Sequence, residues 1–380
     1  MNTSWWRTKE EMDADQMAFI NLPPQGKHFL KGPPGSGKTN LLLLRAQVMA
    51  GQGDKNVLII TYTKALTDFI RSGITKGLIN DNQIRTYHSW AAEHILEHLG
   101  QRINSKESNF DDIRSQLLQQ VLEANKKIPS PHLYSAIFVD EAQDFSLSEL
   151  DALLCLSDKV CICGDSRQGI YYKDGLNIAE SLGLETHSLK RHFRIGQRIA
   201  QVADRLMPPV DGNETLEATS NYNPKTQGES SAKMHSYPNR DVQFERMVEL
   251  IRIQLDAFKG DTIGVICGKK DTCKELSQRF NDTDLKESVC AHGVDEGASF
   301  SMNRPIHILT IHAAKGTEFR AIHIYGAEEL ANYPFNRTTL NYTAVTRAKT
   351  ALNVYRTGTT NNRLENAFAE PSHFDLDDLF

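Results

Sequence analysis

The residues best suited to chemistry lie in a glycine-rich loop near the start of the chain. The segment GPPGSGKT fits the pattern GxxxxGK[ST], follows the apolar run HFL and precedes the helix-like NLLLLRAQVM, which is the context the pattern requires. In such a loop, backbone N–H groups surround phosphate oxygens, the lysine bridges the β- and γ-phosphates, and the hydroxyl that follows ligates Mg²⁺. The loop therefore predicts a nucleoside triphosphate site at Lys38, with Mg²⁺ at Thr39. The other predicted phosphate-binding residues are Gly32, Pro33, Pro34, Gly35, Ser36 and Gly37.

A pair of adjacent carboxylates follows a later apolar run. The segment AIFVDEAQD places Asp140 and Glu141 at the carboxyl end of a predicted strand. We predict that Asp140 holds Mg²⁺, directly or through water, and that Glu141 deprotonates the water that attacks the γ-phosphate. The alternative is a solvated acidic strand end, which the phosphate loop disfavours because triphosphate hydrolysis needs both parts.

A third segment, VCICGDSRQGIYY, again runs from an apolar strand into a polar turn. The amide of Gln168 is able to hydrogen-bond the γ-phosphate or the attacking water, which would couple hydrolysis to the neighbouring loop. Taken alone, this motif is weak.

The elements that must position these residues alternate between apolar runs and helical patterns. Such alternation predicts an α/β fold of parallel sheets covered by helices. The runs form two series, which are separated by a stretch rich in Pro, Gly, Asn and Ser that is typical of a linker. The first series is HFL, VLIITY, AIFVD and VCICGD, and the second is TIGVICG, IHILTIH, AIHIYG and ALNVY. We therefore predict a first domain over residues 1–206 with a small helical insertion at 91–135, a linker at 207–232, a second domain over 233–357 and a flexible acidic tail at 358–380.

Composition limits the class of protein. The chain has 380 residues, 24% of them charged and 39% hydrophobic, which suits two to three globular domains rather than a disordered or membrane chain. The net charge of -5 argues against a passive nucleic-acid coat, so any nucleic-acid contact must be a local groove. No apolar run reaches the ~20 residues of a membrane span and no signal peptide is visible, which predicts a cytoplasmic protein. The 6 cysteines lack paired CxxC spacing and are interpreted as buried reduced thiols rather than disulfides or a zinc site.

The three motifs resemble those of the superfamily 1 helicases, in particular the UvrD/Rep-like group, and further matching segments follow in order along nearly the whole chain. The resemblance implies two RecA-like P-loop NTPase domains that bind ATP and Mg²⁺ between them. In MDADQMAFI it implies adenine recognition by Gln16. In LKRHFRI it implies that Arg194 contacts the γ-phosphate and that Phe193 stacks on adenine. In LNYTAVTRAK it implies that Arg347 is a second arginine finger, reaching across the cleft between the domains.

The same resemblance adds three positions to the ATP site. The segment ILTIHAAKGTEF resembles the motif that connects ATP with DNA, which implies Gly316 as a site residue and Glu318 as the acid that binds ribose. Asn40 stands at a position in the site that commonly holds arginine, which puts the usual ribose or phosphate contact in doubt.

The resemblance also implies a path for single-stranded DNA. The segments TYTKALTDFI and RTYHSW match the two that line this path in the family. Aromatic side chains along such a path stack on bases, typically for ~1–3 kcal/mol each, although core packing is an equally open interpretation for any one of them. The implied DNA contacts are Thr63, Lys64, Thr86, His88, Trp90, Tyr172 and His312.

Two hypotheses for function follow from the resemblance. The first is an ATP-dependent DNA helicase that moves 3′ to 5′ on single-stranded DNA or a tailed duplex. Because the large duplex-engaging insertions of full-length relatives are nearly absent, the second is a DNA-sensing ATPase subunit that unwinds little and regulates a partner nuclease in bacterial anti-phage defence, as in Gabija-type pairs. The acidic end from Phe374 to Phe380 is interpreted either as a solubilising tail or as a partner-recruiting tip.

Overall fold

Two parallel β-sheets, each covered by helices, make up the computed structural model. It describes residues 12–73, 77–102, 110–129, 132–165, 178–209, 214–300, 302 and 304–369. The predicted α/β class is confirmed, with two RecA-like domains and a small helical insertion in the first. None of the helices that the structure describes combines the length and apolar composition that crossing a bilayer would require.

The first sheet has six described strands in the order β3-β2-β4-β5-β1-β6, all parallel. Four of them are the predicted apolar runs, and every residue of β2 and β4 is buried. The two edge strands were not predicted, because one has only three residues and the other, ETHS, carries no large apolar side chain. The strands are β1 (Gly26–Lys31), β2 (Val57–Thr61), β3 (Ile84–Thr86), β4 (Ala136–Val139), β5 (Lys159–Gly164) and β6 (Glu185–Ser188).

The second sheet also has six described strands, in the order β7-β12-β11-β8-β10-β9, again all parallel. The predicted runs in the second half of the chain form the four central strands, β12, β11, β8 and β10. The strands are β7 (Ser231–Ser236), β8 (Ile263–Cys267), β9 (Val289–Ala291), β10 (Ile306–Thr310), β11 (Phe319–Ile324) and β12 (Ala348–Arg356). We call the part built on β1–β6 the first lobe and the part built on β7–β12 the second lobe.

Helices of the first lobe fall into two groups. In one group α1 (Ala14–Ile20) precedes β1, and the others lie between consecutive strands: α2 (Lys38–Gly51), α3 (Lys64–Gly73), α6 (Leu147–Leu154) and α7 (Ile178–Ser181). The other is the predicted insertion, formed by α4 (Tyr87–Leu99) and α5 (Phe110–Asn125). The hydroxyl of Thr86 caps α4 by accepting a hydrogen bond from the N–H of Ser89 at 3.2 Å. The insertion therefore begins directly at the end of β3.

Helices of the second lobe begin earlier in the chain than predicted. They are α8 (Gln197–Leu206), α9 (Pro224–Gln227), α10 (Arg240–Ala257), α11 (Lys270–Asn281), α12 (Thr338–Val345) and α13 (Asn362–Phe368). The apolar side of α8, including Ile199 and Leu206, packs in one core with Ile266 and Leu352 of the second sheet. The predicted boundary at residue 206 thus differs from the structure, since α8 belongs to the second lobe.

Two further segments are more ordered than predicted. Within the proposed linker, Leu216 is buried in the second-lobe core and the Tyr222 hydroxyl lies 3.0 Å from Thr350 Oγ1. Within the proposed tail, α13 buries Leu364 and Ala367 in the same core. The polar composition of both segments conceals the few apolar anchors that hold them. Residues 370–380 lie outside the described ranges, so the interpretation of the acidic end stays a prediction.

Candidate nucleotide-binding site

The phosphate loop lies between β1 and α2, as predicted. Gly35 and Gly37 adopt left-handed backbone conformations, with φ of 76° and 87°, which a side chain would strain. The Lys38 ammonium donates hydrogen bonds to the carbonyls of Gly32 and Pro33, each at 2.9 Å, and so lies inside the loop's curve. The Ser36 hydroxyl donates to the Pro33 carbonyl at 2.8 Å and braces the turn. The loop thus presents a cation and the amino end of a helix to the same point.

Asp140 and Glu141 lie beside the loop at the end of β4. The Thr39 hydroxyl donates to Asp140 Oδ2 at 2.7 Å, so the two predicted Mg²⁺ ligands are adjacent. The other carboxylate oxygen of Asp140 accepts from the N–H of Glu141 at 2.8 Å and from the Cys163 thiol at 2.9 Å. Glu141 itself has a φ of 54°, which turns its side chain away from that of Asp140.

Gln143 connects the segment that follows β4 with the segment that follows β5. It was not predicted as a site residue. Its amide nitrogen donates to the carboxylate of Glu141. Its amide oxygen accepts from the N–H of Asp165 at 3.0 Å. The residue that follows β5 is therefore connected to Glu141 through a single side chain. Because Gln168 lies outside the described residues, its coupling role stays a prediction, and Gln143 supplies a contact of that kind in the described part of the site.

Two arginines lie near the phosphate loop, one from the segment that crosses between the lobes and one from the turn between α12 and β12. Arg194 donates to the carboxylate of Glu318 and to the Thr346 carbonyl, the latter at 3.1 Å. Arg347 is 3% exposed and donates to the carbonyls of Thr343 and Thr317, each at 3.2 Å. A methyl group built on Gly35 would lie 3.1 Å from Arg194 Cβ, so the arginine segment is in close contact with the loop.

Lys315 of the second lobe is a further site residue that the sequence did not single out. Its ammonium donates to the carboxylate of Asp144 and lies 3.9 Å from Glu141 Oε2. It is 1% exposed and Asp144 is fully buried, so this ion pair joins the lobes away from water. The signal was present in the segment HAAKGTEF, but its partner could not be identified from spacing alone.

The surroundings of the two catalytic carboxylates shift their pKa values in opposite directions. Burial raises the pKa of Asp140, and the neighbouring charge of Glu141 adds to that effect. Burial alone would also raise the pKa of Glu141, but Lys315, Arg347 and Lys38 outweigh it and hold the pKa below its ordinary value. Glu141 is therefore ionised at neutral pH, as a general base must be.

Burial and neighbouring arginine charge act on the second-lobe groups as well. Burial lowers the pKa of Arg347 to about 10, and the charge of Arg194 contributes to the same shift. Glu318 has a lowered pKa because Arg194 and Lys349 outweigh the effect of its burial. Arg347 and Glu318 are thus both charged at neutral pH in a poorly solvated cleft, where electrostatic interactions are strong.

The cleft between the lobes collects most of the predicted ATP-site residues. It is lined by Pro34, Gly35, Gly37, Lys38, Thr39, Asn40, Phe69, Glu141, Arg194, Gly316, Glu318 and Arg347. Phe69, on α3, is an addition that sequence reasoning missed because its spacing is that of an ordinary core residue. The left-handed Gly316 is packed so closely that an added methyl group would lie 2.7 Å from Leu66 of α3.

Gln16 and Phe193 lie against the loop from its two sides. Gln16 is 2% exposed, and its amide donates to the Ser36 carbonyl at 2.9 Å and accepts from the N–H of Asp13 at 3.2 Å. In this structure it braces the loop, and its contact with adenine stays a prediction. Phe193 is half-buried, and its backbone N–H donates to the Gly35 carbonyl at 3.2 Å.

The predicted DNA-contacting residues differ in their accessibility. Lys64 is exposed, and Thr63, Thr86, His88 and His312 are half-buried. Burial lowers the pKa of both histidines, with arginine charge adding to the shift, so they would meet DNA as neutral rings.

Trp90 contradicts the base-stacking prediction. It is 1% exposed, stacks on His94 with ring centroids 5.0 Å apart, and donates its indole N–H to the Tyr134 hydroxyl at 3.0 Å. Both the ring face and the polar group are therefore used inside the first-lobe core, which was the alternative interpretation of this residue. Tyr172 lies outside the described part of the chain.

The cysteines are all free thiols, and five of the six are buried, whereas Cys155 is exposed. The expectation of buried reduced thiols thus agrees with the structure except at Cys155, which is a free thiol but is exposed at the end of α6. Burial raises the pKa of the Cys161 thiol to about 12, so this group is protonated and unreactive at neutral pH.

The donor set fits a nucleoside triphosphate with Mg²⁺. Thr39 and Asp140 offer adjacent hydroxyl and carboxylate oxygens, which are the ligand types that Mg²⁺ prefers. Nε of Arg194 is buried and has no hydrogen-bond partner among the described residues, although it adjoins the phosphate loop. An anionic oxygen is the kind of partner that this group would accept.

Known protein families match segments of both lobes. A family model described as an AAA domain matches residues 16–174, and one described as a UvrD-like helicase C-terminal domain matches residues 305–355. No curated protein matches the chain. A solved C-terminal domain of a "possible DNA helicase" from Lactobacillus plantarum WCFS1 is 16% identical over 46% of this chain and 93% of that one, with a TM-score of 0.35. The PRRSV helicase is 16% identical with a TM-score of 0.40; the match covers 90% of this chain, which spans 54% of that helicase.

Proposed function

We propose that the chain is a UvrD-like superfamily 1 helicase that hydrolyses ATP between its two lobes and moves 3′ to 5′ along single-stranded DNA, as the two family-model matches support. One observation carries the proposal: positively charged side chains from the second lobe, and from the segment that leads into it, lie close to the general base Glu141 of the first lobe. Lys315 lies 3.9 Å from Glu141, and Arg194 and Arg347 line the same cleft. Such an arrangement makes hydrolysis depend on how the lobes meet.

Each residue has a defined part in this proposal. Lys38 binds the β- and γ-phosphates, Glu141 accepts a proton from the attacking water, and Arg194 and Arg347 stabilise negative charge on the transferring phosphoryl group. When bound at Thr39 and Asp140, Mg²⁺ would neutralise charge on the phosphate oxygens. Gln143 holds the Glu141 carboxylate in place.

Movement along DNA follows if the lobes grip a single strand differently before and after hydrolysis. Lys64, His88 and His312 are the accessible candidates for that grip on the two lobes. The 3′ to 5′ direction rests on the resemblance of HAAKGTEF and YTAVTRAK to the group that moves in this sense.

The chemical step is tested by ATP hydrolysis with and without single-stranded DNA. We expect DNA to stimulate the wild-type rate, and both Lys38→Ala and Glu141→Gln to lower it by about 10²–10⁴-fold. Lys38→Ala should also lose ATP affinity, whereas Glu141→Gln should keep it. Lys55→Ala, a change at an exposed lysine outside the cleft, is the control. Normal hydrolysis by either site variant would refute the site.

Direction and output are tested on duplexes that carry a single-stranded tail at either end. Strand separation from the 3′-tailed substrate alone supports the proposal. DNA-stimulated hydrolysis without separation would instead favour the sensor hypothesis, in which a partner nuclease is the output.

A further inference from the structure

Three potential metal ligands converge where β1 pairs with the edge strand β6. His28 of β1 lies opposite Glu185, and His187 follows two residues later on the same face of β6. His28 Nδ1 is 3.2 Å from His187 Nε2 and 3.4 Å from Glu185 Oε2, and the last two atoms are 3.9 Å apart. This cluster lies outside the nucleotide site and has no role in the proposed reaction.

The hydrogen bonding of His28 directs a lone pair into the cluster. Its Nε2 lies 3.1 Å from the Gln25 carbonyl, which can only accept, so Nε2 carries the proton. In the neutral ring, Nδ1 is then an acceptor, and it faces the carboxylate of Glu185. The N–H of His187 is able to donate a hydrogen bond to this nitrogen, and a metal ion bound between the three side chains would replace that hydrogen bond. The arrangement also matches a known habit of metal-binding histidines, whose second nitrogen donates to a carbonyl or carboxylate.

The spacing and exposure of the cluster suit a metal ion. Two ligands at ~2.1 Å from a tetrahedral Zn²⁺ would be about 3.4 Å apart, which is close to the observed separations. The side chain of His28 is 5% exposed and that of Glu185 is 67% exposed, so a rigid ligand is combined with open access for the ion and for water. Burial lowers the pKa of His187, which keeps that ring available as a neutral ligand.

We propose that His28, Glu185 and His187 bind one divalent transition-metal ion, with water in the remaining position. Imidazole and carboxylate ligands suit Zn²⁺ and its neighbours Co²⁺ and Ni²⁺ rather than Mg²⁺. The ion joins β6 to β1, and these strands lead directly to Arg194 and to the phosphate loop respectively. Its role is therefore to hold the edge strand that precedes the arginine segment.

A second cluster, Cys290, His292 and His307, offers ligands of similar type and must be separated in the test. There, His292 Nε2 and His307 Nδ1 lie 2.9 Å apart, and Cys290 and His307 are buried, so an ion and its water have less access than they have at the exposed Glu185. It therefore serves as a competing site rather than as part of the proposal.

The test uses the full chain without a histidine tag, stripped with EDTA and kept in excess Mg²⁺. We expect calorimetry to show one Zn²⁺ bound per chain, Co²⁺ to give a tetrahedral absorption spectrum, and Zn²⁺ to raise the unfolding temperature. Glu185→Gln should weaken binding at least about tenfold and His187→Ala further, by loss of one ligand each. Since Glu185 is exposed, Glu185→Gln remains informative if His187→Ala fails to fold.

His132→Ala is the matched control, because His132 forms an exposed pair with Asp158 at 3.0 Å and belongs to neither of the three-ligand clusters found among the described residues. It should bind Zn²⁺ like the wild type. The proposal is overturned if the wild type binds no Zn²⁺ or if Glu185→Gln and His187→Ala bind it unchanged. It is equally overturned if only Cys290→Ala abolishes binding, which would assign the ion to the other cluster.

Discussion

Lys315 of the second lobe acts on two carboxylates of the first lobe. Its charge contributes most to lowering the pKa of Glu141, and its ammonium pairs with Asp144. Both interactions join residues far apart in the chain. A change at this lysine should therefore be visible in chemistry as well as in stability.

We predict that Lys315→Met shifts the pH dependence of hydrolysis upward. Without the ammonium, burial dominates and the pKa of Glu141 rises, so the base becomes protonated at a higher pH and activity is lost earlier on acidification. The measurement is kcat against pH from 5 to 9 at saturating ATP. An acidic limb that stays at the wild-type pH would contradict the electrostatic role of Lys315. Lys349→Met, which removes a cation beside Glu318, is the control.

The roles of the phosphate loop and of the acidic pair could be predicted from the sequence because each motif consists of neighbouring residues. Lys38, Thr39, Asp140 and Glu141 lie together as their patterns indicate. Lys315 could not be assigned a partner, since the pairing arises only when the lobes meet. Trp90 was misassigned because an aromatic residue in a resembling segment gives no information about which way its ring faces.

At the scale of elements, the contact between Gly316 and α3 limits how closely the lobes approach. Gly316 has a φ of 79°, and an added methyl group would lie 2.7 Å from Leu66. Such a distance requires one side to move.

We predict that Gly316→Ala impairs hydrolysis and stability more than backbone strain alone explains. Gly358→Ala is the matched control: Gly358 has a φ of 71°, and nothing among the described residues lies within 4 Å of its added methyl group. Strain costs roughly 1–2 kcal/mol at either glycine, and only Gly316→Ala adds the collision. Leu66→Ala should partly restore the activity of Gly316→Ala. Equal losses in unfolding free energy for both glycine variants would contradict this explanation.

Buried histidines in the strands make the stability of the folded state depend on pH. Burial lowers the pKa of His323 to about 3, and its ring nitrogens lie 2.8 Å from the Tyr355 hydroxyl and 2.7 Å from Gln254 Oε1. The unfolded chain therefore binds a proton below pH 6.5 that the folded chain does not, and stability falls as pH falls through that range.

We predict a loss of about 1.4 kcal/mol of unfolding free energy per such histidine between pH 7.5 and 5.5. His323→Gln should be less stable at pH 7.5 but should lose about 1.4 kcal/mol less on acidification. Urea unfolding at the two pH values measures both quantities. The exposed His132→Gln should leave the pH difference unchanged, and an unchanged difference in His323→Gln would disprove the assignment.

Strands with long apolar runs were predictable and the edge strands were not. A buried central strand such as β2 needs apolar side chains on both faces, which leaves a continuous run in the sequence. The edge strand β6 has a sheet neighbour on one side only in the described sheet, so its polar sequence ETHS satisfies it and gives little signal.

At the scale of the whole molecule, the net charge of -5 restricts how the protein holds DNA. A chain with excess negative charge repels a polyanion at long range, so attraction must come from a few lysines and arginines placed in a groove. Affinity that depends on few phosphate contacts is modest and sensitive to salt.

We predict that affinity for single-stranded DNA falls steeply with salt, with a slope of about 0.7 per phosphate contact in a double-logarithmic plot. Lys64→Ala should lower that slope by about 0.7, since the exposed Lys64 would lose one contact. Fluorescence anisotropy from 50 to 300 mM salt measures the slope, and Lys55→Ala should not change it. An affinity that does not vary with salt would contradict the local groove.

The assignment of α8 to the second lobe determines how the chain can be divided. A cut after residue 209 would leave α8 on the first fragment, although Ile199 and Leu206 complete the core of the second. Each fragment would then lack part of its structure or carry a helix without its core. We expect α8 on the first fragment to bind the core of the second, so that the two fragments reassemble when they are co-expressed. A second lobe that starts at Lys190 keeps α8 with its core, leaves Leu189 in the first-lobe core where it packs, and is the piece suited to independent expression.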